Sequence, residues 1–80
     1  MVKLTKPADK QLRRLPRDLL GRVEDTLRRL GEDPRSGKML VGRLKGKRSI
    51  RVGRSYRIVY EIVATDVIVM SVLPRKDAYR

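Results

Sequence analysis

The apolar residues of this chain change their spacing at Gly37, and that change limits what the sequence can fold into. Before it, Ala8, Leu12 and Leu15, and then Leu19, Leu20, Val23, Leu27 and Leu30, recur mostly at three- and four-residue intervals, the spacing that lines one side of a helix. After it, Ile50 with Val52, Ile58 with Tyr60 and Ile62, and Ile68 with Met70 and Val72 alternate with other residues, the period of a strand with one buried face. Pro16 divides the helical half, because proline cannot continue a helix but suits the start of one. A first helix therefore enters through Thr5 or Lys6 and Pro7 and runs to about Leu15. A second follows Pro16, with Gly31 as its C-cap and residues 32–37 as a loop. Val2–Thr5 reads as a short edge strand. The expected fold class is α+β: a short N-terminal strand and a two-helix hairpin packed on an antiparallel sheet of three to four strands, within one domain spanning residues 1–80.

The phase of the alternation predicts how the strands pair. Candidate strands lie near Lys47–Val52, Tyr56–Val63 and Val67–Leu73, with a short piece at Met39–Val41. A three-residue loop, Gly53-Arg54-Ser55, sets Val52 opposite Tyr56, Arg51 opposite Arg57 and Ile50 opposite Ile58. A two-residue loop would set Ile50 opposite Arg57 and mix the faces. A second three-residue turn, Ala64-Thr65-Asp66, predicts Ile68, Met70 and Val72 on the core face, and Val67, Val69, Ser71 and Leu73 beside Arg57. Arg51, Arg57 and Arg75 then converge on the face away from the helices. Like charges directly opposed across a strand pair are destabilising unless an anion lies between them. Phosphate suits such a site, since guanidinium groups offer fixed forks of donors; the plainer alternative is a pair of solvated arginines. Gly42, Gly46 and Gly53 read as turn residues, because no nucleotide-binding glycine spacing accompanies them.

Charge narrows the partners. Lys and Arg number 21 against 9 Asp and Glu, a net charge of +12. From Pro34 through Tyr60 every charged residue is basic: Arg35, Lys38, Arg43, Lys45, Lys47, Arg48, Arg51, Arg54 and Arg57. Such a field attracts nucleic acid, an acidic protein or an anionic surface. Lys38, Arg43, Lys45, Lys47, Arg48 and Arg54, with Lys76 near the C-terminus, are the candidate RNA-binding residues. The chain has no cysteine and no histidine, which excludes disulfides, thiolate or imidazole zinc sites and histidine-based acid–base chemistry. No metal and no cofactor is expected. No apolar run reaches signal-peptide or membrane-span length, so a cytoplasmic protein without membrane contact is expected. The core of an 80-residue chain without Phe or Trp must be small and aliphatic. Tyr79 can either close the edge of that core or stack on a base.

The order of these pieces carries a resemblance. A helical hairpin, then Asp33-Pro34, Gly37-Lys38, Leu40 and Gly42, then Ile50-Arg51-Val52-Gly53 and Tyr56-Arg57-Ile58-Val59-Tyr60, and finally Pro74-Arg75-Lys76-Asp77-Ala78-Tyr79, is similar to the RelE/ParE toxin superfamily over nearly the whole chain. The resemblance implies a β-αα-βββ fold and a cognate acidic antitoxin whose partly disordered segment wraps the toxin. RelE-like members are metal-independent ribonucleases that cut mRNA in the ribosomal A site, against ribosomal RNA; ParE-like members inhibit DNA gyrase. Carried over by position, the resemblance makes Arg51, Arg57, Arg75 and Tyr79 the catalytic set. The chemistry implied is attack of a ribose 2′-hydroxyl on the neighbouring phosphate, with cationic groups stabilising the added phosphorane charge. Two departures stand out. Ser49 occupies the place of a second basic residue, leaving Lys47 or Arg48 as stand-ins for the proton acceptor, and Pro74 replaces a histidine common before this arginine. The leading expectation is an antitoxin-controlled mRNA endonuclease; the alternatives are a gyrase-directed toxin and a non-catalytic basic RNA-binding protein.

Overall fold

Thr5 starts the helical half: its hydroxyl accepts a hydrogen bond from the Ala8 amide at 3.3 Å, and Pro7 fills the first turn, where a missing N–H breaks no helical bond. The computed structural model, which describes residues 1–75, runs β1 (Val2–Leu4), α1 (Lys6–Arg13), α2 (Arg17–Glu32), β2 (Lys38–Met39), β3 (Arg48–Val52), β4 (Tyr56–Val63) and β5 (Asp66–Pro74), with single 3₁₀ turns at Pro34–Ser36 and Gly42–Leu44. Pro16 opens α2 as expected, its carbonyl accepting from the Leu20 amide at 2.8 Å. Gly31 is not the cap. The helix continues to Glu32, and the Asp33 amide still reaches the Arg29 carbonyl at 2.8 Å. The stop comes from Pro34, since the residue before a proline is pushed out of the helical region, and Asp33 lies outside that region at φ −138° and ψ 85°.

The sheet is wider than three to four antiparallel strands. It has five, in the order β1-β5-β4-β3-β2, and it is mixed, because β1 runs parallel to β5. Val2 and Leu4 pack against the buried core. At the other edge, Lys38 and Met39 pair with Ser49 and Arg48. The β3–β4 register is the expected one, with Ile50 opposite Ile58, Arg51 opposite Arg57 and Val52 opposite Tyr56.

The β4–β5 register departs from expectation at both ends. Val63 pairs with Asp66, so the turn holds only Ala64 and Thr65, with Ala64 in the left-handed region at φ 56°. Val67 and Val69 are therefore the buried residues of β5, and Ile68 and Met70 lie outside the core. A one-residue shift moves every side chain to the other face. Val72 stays in the core because a bulge restores the phase: Tyr60 pairs with Val69 but Val59 with Ser71, which leaves Met70 as the extra residue. Helix α1 covers this irregularity. Thr5 donates its hydroxyl to the Met70 carbonyl at 3.1 Å, and Gln11 Oε1 accepts the Val72 amide at 2.7 Å. The face bearing Arg57 accordingly keeps Ser71 and Leu73 and loses Val67 and Val69.

Ala8 from α1, Val23 and Leu30 from α2, and Val52, Ile58, Tyr60, Val67, Val69 and Val72 from the sheet form the buried cluster, with Leu12, Leu19 and Leu27 of the helices half-buried around it. Thr26 is buried among them and donates its hydroxyl to the Arg22 carbonyl at 2.9 Å, so its polarity is satisfied within the helix.

Candidate nucleic-acid interface

The β3–β4 hairpin sets the geometry of the basic face. Gly53, at φ 61°, supplies the left-handed residue of the turn, and the three-residue connection brings Arg51 and Arg57 to opposed positions on the side turned from the helices. The two do not share one environment. Arg51 is exposed and Arg57 is half-buried. The Arg57 Nη1 donates to Ser49 Oγ at 3.2 Å. Ser49, only 3% exposed, lies two residues before Arg51 on β3, so Arg57 leans diagonally along the neighbouring strand. Beside Arg57 opens a groove of about 820 Å³ whose other walls come from Lys38–Val41, Arg43 and Leu44.

That wall is braced by its own backbone. Lys45 N–H bonds to the Gly42 carbonyl at 3.1 Å, Lys47 N–H to the Leu44 carbonyl at 3.0 Å, and Leu40 N–H to the Lys47 carbonyl at 2.9 Å. Gly42 and Gly46 adopt φ of 70° and 94°, as turn residues. Met39 and Val41 are left exposed, at 59% and 87%. The approach to the wall is pinned from the core side: Tyr60 donates its hydroxyl to the Pro34 carbonyl at 2.7 Å and accepts the Gly37 amide at 2.9 Å. Burial, the largest influence, raises the Tyr60 pKa, opposed by the Gly37 hydrogen bond and by Arg48.

The expected site residues do not all fall on one surface. Arg51 and Arg57 come together as anticipated, and Lys38, which pairs with Ser49, shares their side of the ladder. Arg43 and Lys45 are exposed on the braced loop and Lys47 is half-buried at its end. Arg48 departs from this field. It pairs with Tyr60 on the core side, and its Nη1 donates to the carbonyls of Gly37 at 2.9 Å and Arg35 at 3.5 Å. Arg54 is exposed at the hairpin tip, beside a smaller recess of about 440 Å³ that Asp18, Arg22 and Tyr56 help to line. Arg75 is exposed, and its amide donates to the Ser55 carbonyl at 2.6 Å, which fixes where the chain leaves β5 next to the β3–β4 turn. Lys76 and Tyr79 lie outside the described residues. The serine at position 49 is legible in the sequence only as a small polar residue among basic ones; its contact with Arg57 is a tertiary fact. Among the described residues, no three acidic side chains gather as metal ligands, and no helix is long and apolar enough to cross a membrane.

The arrangement defines a class: small α+β proteins in which a helical hairpin backs a sheet that presents a cationic face. Residues 2–79 match the family model described as the ParE toxin of the type II toxin–antitoxin system parDE. The chain belongs to this family, within the RelE/ParE superfamily of toxins. Among solved structures, it is similar to a chain of the toxin–antitoxin complex RelBE2 from Mycobacterium tuberculosis, with 34% identity over 94% of this chain and 96% of that one, at a TM-score of 0.84. It also resembles the isolated E. coli toxin RelE, with 21% identity over 99% of this chain and 87% of that one at a TM-score of 0.80. A chain of the intact E. coli RelBE complex matches at 24% identity over 90% and 92%, with a TM-score of 0.77. The last two support the fold alone. No match is found among the curated proteins.

Proposed function

We propose that this toxin is a metal-independent endoribonuclease that cuts mRNA on the ribosome and is held in check by a cognate acidic antitoxin. In the reaction, the ribose 2′-oxygen bonds to the adjacent phosphorus, the bond from phosphorus to the 5′-oxygen breaks, and the 2′-proton is lost while the leaving 5′-oxygen gains one. The products are a 2′,3′-cyclic phosphate and a 5′-hydroxyl. The observation that carries this reading is the opposed pair Arg51 and Arg57 on the exposed sheet face, beside a groove with Lys38 and Arg43 in its walls. Positive groups held in place before the reaction stabilise the charge that develops on the phosphorane. Arg51 and Arg57 take the phosphate, Arg75 approaches it from the end of β5, and Tyr79 orients a base. The basic run from Pro34 to Tyr60 suits an acidic antitoxin segment, and the similar RelBE2 structure is a toxin–antitoxin complex.

A gyrase-directed activity is the second reading, favoured by the ParE description of the matching family. Induced expression followed by primer extension separates them. New 5′ ends within translated codons support the nuclease. Intact mRNA together with inhibited supercoiling by purified gyrase would replace it with the second reading.

A further inference from the structure

We propose that Ser49 is a positioning residue for Arg57, its hydroxyl aiming the guanidinium at the groove where a phosphate binds. This rests on the nuclease reading above. Three observations combine. Ser49 Oγ accepts from Arg57 Nη1 at 3.2 Å. Ser49 is 3% exposed and sits in a strand paired on both sides, with Lys38 across one ladder and Val59 across the other, so the anchor cannot shift without moving the sheet. Arg57 is half-buried at the groove, opposite a second arginine whose charge repels it.

The chemistry of the anchor matters. A hydroxyl accepts from one of the five guanidinium N–H donors and carries no net charge, so this contact orients the cation without itself neutralising it. A carboxylate at position 49 would hold the arginine more tightly but neutralise it. A serine also has a single χ1 to fix, so little side-chain entropy opposes the contact. The short polar residue is therefore suited to aiming a like-charged pair, with Arg57 turned diagonally along β3 and Arg51 left exposed.

The experiment measures cleavage of RNA on programmed ribosomes by Ser49→Ala, Ser49→Thr, Arg57→Ala and the double variant Ser49→Ala/Arg57→Ala, each checked for folding by thermal unfolding. Loss of aim predicts that Ser49→Ala lowers kcat by roughly tenfold to 10²-fold, the range set by misplacing a reacting group. KM should change by less than about threefold, since a transition-state contact is affected. Ser49→Thr, which keeps the hydroxyl, restores the rate. The double variant is no worse than Arg57→Ala alone. A full rate in Ser49→Ala beside a lost rate in Arg57→Ala overturns the proposal and leaves the nuclease reading standing, as does a folded Ser49→Thr that fails to rescue. Where the wild-type toxin cleaves no RNA, the nuclease reading falls and ¹⁵N relaxation of the Arg57 side chain decides the positioning role. Order in wild type and Ser49→Thr but not in Ser49→Ala supports it; equal order in all three overturns it.

Discussion

The hydroxyl of Tyr60 lies against the place that a Cβ on residue 37 would occupy, and Gly37 donates its amide to that same oxygen at 2.9 Å. Gly37 has an ordinary extended backbone, with φ −80° and ψ 157°; glycine is needed here for the close approach. An added Cβ would also stand 2.8 Å from Tyr60 Cε1. Gly37→Ala is expected to destabilise the fold by about 1–3 kcal/mol through overpacking. Tyr60→Phe should cost about 1–3 kcal/mol by leaving a buried amide without its acceptor. Urea unfolding of both variants checks this, and wild-type stability in either would dismiss the contact as incidental.

The same tyrosine predicts an alkaline limit. Burial raises its pKa above the ordinary value of 10.0, so the folded state holds the phenolic proton where the unfolded chain releases it. This contribution is complete below pH 10.0 and is lost as pH rises through the folded value. Unfolding free energy measured on both sides of that point should decline more steeply for wild type than for Tyr60→Phe. Parallel curves would assign the alkaline loss to other groups.

Arg57→Ala should keep the fold and lose the activity. Arg57 opposes Arg51 on the face away from the aliphatic core, so truncation relieves repulsion, offset by loss of the Ser49 contact. Stability is expected to stay within about 1 kcal/mol. Cleavage should fall by roughly 10²-fold or more, the scale for losing one preorganised donor. Thermal unfolding and cleavage on programmed ribosomes give the two readings. A variant that unfolds makes Arg57 structural, and a folded one with undiminished cleavage removes it from the site.

The bulge at Met70 predicts a role for Gln11. Its Oε1 accepts the Val72 amide at 2.7 Å, beside the extra residue of β5. Gln11→Ala leaves that amide without its acceptor and should cost about 1–3 kcal/mol. Hydrogen exchange at Val72 should accelerate more than exchange at Ile58 in the same ladder. Uniform acceleration would mean that the side chain acts on global stability alone.

The sequence by itself determined the helical hairpin, the β3–β4 register and the opposed arginines, because each follows from local periodicity: a proline between two helical stripes, and alternation of Ile50, Val52 and Ile58 around a three-residue loop. The α+β class and the RelE/ParE resemblance follow from the same residues and their order. Tertiary structure decided what periodicity could not encode. Val67, Val69 and Val72 all suit a buried strand, as do Ile68 and Met70, and only the two-residue turn at Ala64 with the bulge at Met70 selects among them. The parallel pairing of β1 with β5 joins segments more than sixty residues apart, beyond any local signal. Arg48 and Arg57 read alike as basic strand residues, but burial of Tyr60 and Ser49 gives one a pair of loop carbonyls and the other a hydroxyl at the groove. Charge is a property of the residue, whereas the direction of a guanidinium depends on which polar atoms the fold brings within reach.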